Sequence, residues 1–163
     1  MWVPLVASLV LAIIGMLMVR RARQSLAAPI DGPPFSAAVV TLLSTAQQEA
    51  RVRGHKQVGP EHLLFVLCDE GAEPSVLLLE HASVDISALR DSAERIMPPL
   101  GKPIFDGGEL PYTARVLYSL RSAVITAREQ QRVETGPNDV VAGLLAEGRN
   151  RAARALREAG VTG

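Results

Sequence analysis

The pair Gly59-Pro60 recurs as Gly136-Pro137, and the same offset of 77 residues holds across two long segments without a gap. Phe35-Ser36 falls on Tyr112-Thr113, Val39 on Val116, Leu43 on Leu120, Ala46 on Ala123, and Ala50-Arg51 on Ala127-Arg128. Further along, Leu67 matches Leu144, Glu70-Gly71 matches Glu147-Gly148, Leu79 matches Leu156, and Ala82 and Val84 match Ala159 and Val161. A register kept that long marks a duplication, so the two halves are expected to adopt one shape.

Each matched position has a structural task. Ser36 and Thr113 are N-cap hydroxyls, preceded by Phe35 and Tyr112, which are placed to close hydrophobic staples onto Val40 and Leu117. Val39, Leu43, Ala46 and Ala50 follow at helical spacing and form one buried stripe. Gly54 suits the left-handed residue that ends this helix. Pro60 and Pro137 then open second helices at the first helical position, where a missing N–H costs nothing. Gly71 and Gly148 close them, third helices are predicted at Ser75 to His81 and Ala152 to Ala159, and Asp85 caps a fourth, ISALRDSAERIM, stopped by Pro98-Pro99. Residues 98–111 are a breaker-rich seam without regular structure. The second copy reaches Val161-Thr162-Gly163 where its own fourth helix would begin. At 163 residues, with 4% aromatic residues and abundant alanine and leucine, the chain suits one closely packed helical domain. The expected fold is all-α, about seven short helices in two pseudo-repeats, 35–97 and 112–163.

Ahead of the repeats, Trp2 to Val19 carries no charge and as a helix spans about 27 Å, close to the hydrocarbon thickness of a bilayer. Residues 1–24 are expected to be a transmembrane anchor, with Trp2, Leu5, Leu9, Ile13 and Leu17 in lipid and Arg20, Arg21 and Arg23 as its basic flank. Residues 25–34, including DGPP, form a tether. A cleaved signal peptide wants its positive charge before the apolar run, whereas here the arginines follow it. By the positive-inside rule the N-terminus is then outside and the C-terminal domain cytoplasmic, on a bacterial inner membrane.

Several chemistries lose support. Seventeen basic residues balance seventeen acidic ones, so no field of one sign gathers nucleic acid. The single cysteine, Cys68, makes no internal disulfide and lies in an apolar run followed by Asp69 and Glu70, which suits a small buried hydrophobe better than a reactive thiol. His55 and His62 are seven residues apart across a helix break, and no further ligand pair completes a metal site. No Gly-x-x-x-x-Gly-Lys-Ser/Thr phosphate cradle occurs in the 163 residues, nor a serine or cysteine accompanied by a recognisable histidine and carboxylate. No catalytic residue, metal or cofactor is expected.

The sequence around the repeats resembles the Clp N-terminal domain, two tandem Clp repeats found at the head of Clp-type unfoldases. The resemblance rests on Phe35-Ser36, Gly54-His55, Val58-Gly59-Pro60-Glu61-His62-Leu63-Leu64 and Glu70-Gly71, and it covers Phe35 to Gly163. It implies a tandem Clp-repeat bundle that recognises adaptors or substrates, while the family's chemistry belongs to an ATPase ring. Some members bind phosphoarginine through the glutamate of the Glu-His pair, which corresponds to Glu61; the second copy has Asn138 and Asp139 instead. Candidate partner contacts are therefore Glu61, His62, Asn138 and Asp139. To these the pattern adds Arg149, Arg151, Arg154 and Arg157, which recur near the last helix as a stripe able to meet an acidic partner or anionic lipid. Glu61 also sits in a helical first turn, where the dipole favours it without any ligand. The altered polar residues favour a non-enzymatic accessory subunit that stabilises a larger integral inner-membrane complex, respiratory or photosynthetic. The alternative is a Clp-type adaptor or substrate-capture module at the membrane, with a Clp unfoldase, adaptor or substrate protein as partner.

Overall fold

The computed structural model describes residues 32–69 and 84–161. They form six helices: α1 (Ala37–Val52), α2 (Pro60–Leu67), α3 (Ile86–Arg95), α4 (Ala114–Glu129), α5 (Pro137–Glu147) and α6 (Arg151–Glu158). The helix expected at Ser75 to His81, the closing Gly71 and the apolar stretch Trp2 to Val19 with Arg20, Arg21 and Arg23 lie outside the described residues. Among the described residues no helix is long and apolar enough to cross a membrane.

Moved by 77 residues, α1 lands on α4 at both ends. The caps agree too: Ser36 Oγ accepts the Val39 N–H at 3.3 Å, and Thr113 Oγ1 accepts the Val116 N–H at 3.4 Å. The stripe Val39, Leu43, Ala46 and Ala50 is buried, as is Val116, Leu120, Ala123 and Ala127. Helices α2 and α5 both start at the predicted proline, and Gly148 ends α5 in the left-handed region with φ 71°. Asp85 caps α3 through Oδ1 at 3.0 Å from Ala88 N. Helix α6 begins at Arg151 because Asn150, whose Oδ1 lies 2.6 Å from Ala153 N, is its cap.

The halves are joined crosswise. Phe35 bridges Thr135, and Val58 bridges Tyr112, both in parallel sense, so the start of each repeat pairs with the residue just ahead of the other repeat's second helix. Four backbone bonds carry this exchange: Ser36 N–H to Thr135 O (3.0 Å), Thr135 N–H to Pro34 O (2.7 Å), Thr113 N–H to Val58 O (3.0 Å) and Val58 N–H to Pro111 O (2.9 Å). Phe35 and Tyr112 thus serve these crossing points and pack against a core to which both repeats contribute Leu63, Leu64, Leu67, Leu120, Leu144 and Leu156, all 1% exposed or less. Each such leucine contributes roughly 1.5–3 kcal/mol by leaving water.

The seam has no helix or strand, yet it is held. Gly101 and Ile104 donate backbone N–H groups to Arg53 O and Arg51 O at 2.8 and 3.0 Å. The buried amide of Gln47 grips Leu110 both ways, Nε2 donating to its carbonyl at 2.8 Å and Oε1 accepting its N–H at 3.0 Å. Gly54 lies under the seam at φ 72°, and a Cβ there would overlap the backbone of Gly101 and Lys102.

Candidate functional site

The family-like polar residues sit at the openings of α2 and α5, and the chain delivers them there by one device used twice. Past α1, Gly54 turns left-handed and His55 N–H returns to Ala50 O at 2.8 Å; past α4, Gln131 takes φ 54° and Arg132 N–H returns to Ala127 O at 2.9 Å. These closures fix where His55 and Arg132 stand. Opposite them, the third residue of each following helix reaches back to its own cap. His62 Nδ1 accepts the Gly59 N–H at 2.9 Å, and Asp139 Oδ2 accepts the Gly136 N–H at 2.8 Å.

The two pairs then meet. His55 Nδ1 lies 2.7 Å from His62 Nε2, and Arg132 donates to Asp139 Oδ1 at 2.8 Å. Positions 55 and 132, like 62 and 139, are related by the repeat, so an imidazole pair in one half occupies the place of an ion pair in the other. Because His62 Nδ1 is an acceptor, its hydrogen resides on Nε2 and is donated to His55 Nδ1. The hydrogen of His55 is thereby on Nε2, a buried atom without a hydrogen-bond partner. Burial, reinforced by His55 alongside, lowers the His62 pKa to about 4, so the ring is neutral at pH 7. His62 and Asp139 are 0% and 1% exposed. Their side chains are committed to these internal bonds, and the changed residues keep the helix starts intact in both halves.

Glu61 is placed differently. Its carboxylate lies over Gly59 and is partly open to solvent, and burial raises its pKa despite its own backbone N–H and the charge of Arg151. Glu61 Oε1 is 3.6 Å from His62 Nδ1, but that nitrogen carries no hydrogen, so no ion pair forms. At the matching position Asn138 Oδ1 is buried without a partner. Among the described residues no three His, Cys, Asp or Glu side chains gather to hold a metal. Burial pushes the Cys68 thiol up to about 12, which leaves no reactive thiolate.

The four arginines separate. Arg157 donates to Gly148 O at 3.0 Å and Leu145 O at 3.1 Å, which caps the C-terminal end of α5. Arg149 is exposed in the turn before α6. Arg151 and Arg154 face a groove of about 350 Å³ between α6 and α3, opposite Ser92, Arg95 and Ile96. Arg154 is paired with Glu158 at 2.8 Å. A second hollow of about 220 Å³, bounded by Asp85, Leu89 and Ala159, continues it. Arg53 was not singled out by sequence; it binds Glu94 at 2.6 and 2.7 Å and, with Arg90, sits 4.9 Å from the Phe65 ring centre.

The chain is similar to known proteins in sequence and fold. The family model for the Clp repeat (R) N-terminal domain covers residues 34–159. A chloroplastic ATP-dependent Clp protease ATP-binding subunit ClpA homolog of Brassica napus is 31% identical over 127 residues, 77% of this chain; the chain spans 14% of that relative. Among solved structures, the Hsp104 N-terminal domain of Candida albicans superposes with TM-score 0.66 at 17% identity, covering 79% of this chain and 83% of that one. The N-terminal domain of the chaperone ClpD from Arabidopsis thaliana gives TM-score 0.59 at 21% identity, covering 78% and 88%.

Proposed function

Because the chain belongs to the family of Clp repeat N-terminal domains, we propose that it is a non-enzymatic protein-binding module that captures adaptors or substrate proteins for a Clp-type unfoldase. The observation that carries this reading is Glu61. It is the family-like glutamate kept in repeat one, and its carboxylate is neither consumed by the cap nor tied in an ion pair. Burial raises its pKa even against its own backbone N–H and the charge of Arg151, and an incoming guanidinium would offset that desolvation. Phosphoarginine on a marked protein is the proposed ligand for this corner. Repeat two is not given this role, since Asn138 offers no charge.

The apolar stretch from Trp2 to Val19, with Arg20, Arg21 and Arg23 behind it, supports capture at the cytoplasmic face of a membrane. The matched relatives carry Clp chaperone and protease names, which favours capture over the accessory-subunit role. Titration of the 163-residue chain with a phosphoarginine peptide and with its unmodified arginine counterpart tests the reading. Saturable binding of the marked peptide, lost in Glu61→Ala, is the expected result. No binding to the parent, or binding indifferent to Glu61→Ala, would sink it.

A further inference from the structure

Between the backbone anchors at Ile104 and Leu110 the seam projects as a five-residue tongue, Phe105-Asp106-Gly107-Gly108-Glu109. Its Phe105 is 88% exposed, the most exposed large hydrophobic among the described residues. The tongue is shaped locally, since Asp106 Oδ1 accepts the Gly108 N–H at 3.3 Å and Gly107 adopts φ 70°. It carries two carboxylates and no cation. The groove between α3 and α6 has the opposite character: Arg95, Arg151 and Arg154 against Glu158, over apolar ground from Ile96 and Ala155. At about 350 Å³ it lies within the size range of pockets that enclose small ligands, so an aromatic ring fits.

We propose that the tongue of one copy docks in the α3–α6 groove of a second copy, Phe105 over Ile96 and Ala155, with Asp106 and Glu109 meeting the groove arginines. Charge complementarity selects this occupant, and equal numbers of acidic and basic residues leave no net repulsion between copies. Tongue and groove are different surfaces, so the contact is head-to-tail and a third copy can add to the second. A five-residue tongue buries less than the roughly 1,200 Å² typical of a stable complex, so the association is weak and concentration-dependent. Glu61 does not line the groove but feels the charge of Arg151, so Phe105→Ser, which changes no charge, is the variant that separates this proposal from the Glu61 reading.

The test is sedimentation of the 163-residue chain in detergent, below one chain per micelle, over a wide concentration range. The parent is expected to grow in mass past a dimer as concentration rises. Phe105→Ser and Arg151→Glu, each checked for native helicity, should weaken association more than about tenfold, as loss of an interface anchor does. Glutamate at 151 falls in the first turn of α6, where the dipole tolerates it. Mixed one to one, the two variants retain one good tongue and one good groove and should form dimers that do not extend. A free peptide spanning Pro103 to Glu109 should dissolve the parent's assemblies without touching the fold. A parent monomeric at every concentration, a mixture that stays monomeric, or assemblies indifferent to the peptide would each overturn the proposal.

Discussion

Neutral His62 is built into the start of α2, because both of its nitrogens are committed and neither has room for a second proton. Its pKa is about 4 in the folded chain against 6.5 unfolded. The depressed value means the unfolded chain takes up the proton first, so this contribution is complete above pH 6.5 and is lost as pH falls toward 4. The loss amounts to about 3 kcal/mol. Glu61 works the other way, since its raised pKa stabilises the fold at low pH and that contribution fades as pH rises. Chemical denaturation of the parent and of His62→Asn between pH 7 and 4 separates the two: the asparagine still caps Gly59, and the difference between the curves should shrink across that window. A constant difference would refute the assignment. The repeat also suggests an exchange. His55→Arg alone faces a guanidinium with a neutral ring and should cost about 3 kcal/mol, whereas adding His62→Asp rebuilds the pair seen at Arg132 and Asp139 and should recover most of it. A double-mutant cycle by urea unfolding reads the coupling. This correlation is not legible in the sequence, where His55 and His62 lie on opposite sides of a helix break. Two changes seven residues apart become one change only when Gly54 and Gln131 are seen turning the chain back.

At the scale of the element, the ends of α1 and α4 test how a helix is stopped. Both close through a left-handed residue, yet one is glycine and the other Gln131. Gly54 has two reasons to be bare, its φ of 72° and the seam crossing above it, whereas Gln131 has only its φ of 54°. Gly54→Ala should therefore cost more than the roughly 1–2 kcal/mol of a left-handed side chain, and Gln131→Gly should stabilise by up to about 1 kcal/mol. Thermal melts that ranked them the other way would contradict the crossing. The last turn of α5 gives a further measurement: Arg157→Ala removes two bonds to its terminal carbonyls and should lower stability by about 1–3 kcal/mol. Helix identity, caps and buried stripes were legible because the 77-residue offset aligned hydroxyls, prolines and alanines that act locally. The tie between Gln47 and Leu110 was not, because it joins residues 63 apart through a polar side chain that any helix pattern places in water. The recurrence of arginines near the last helix likewise groups Arg157 into a stripe, whereas the structure places it on the end of the neighbouring helix.

The offset says the halves are alike but not how they are joined, and that joint governs the behaviour of the whole molecule. All four bonds at the two bridges cross between residues 32–97 and residues 98–161, and the core leucines come from both. Cut between residues 97 and 98, neither piece keeps a partner for its crossing backbone groups: Ser36 N–H loses Thr135, and Thr113 N–H loses Val58. Each piece also exposes the apolar face that its counterpart covers. A chain of about 65 residues with half a core is too small to compensate for that loss. Residues 32–97 and 98–163 prepared separately should show weak helical circular dichroism and no cooperative melt. Mixed in equal amounts, they should regain helicity and a single transition whose midpoint rises with concentration, since folding has become association. Should 98–163 alone melt cooperatively, the crossing would be ornament on two independent bundles. Failure to recover on mixing, with both pieces soluble, would mean that the covalent seam is needed to hold the crossed strands in register.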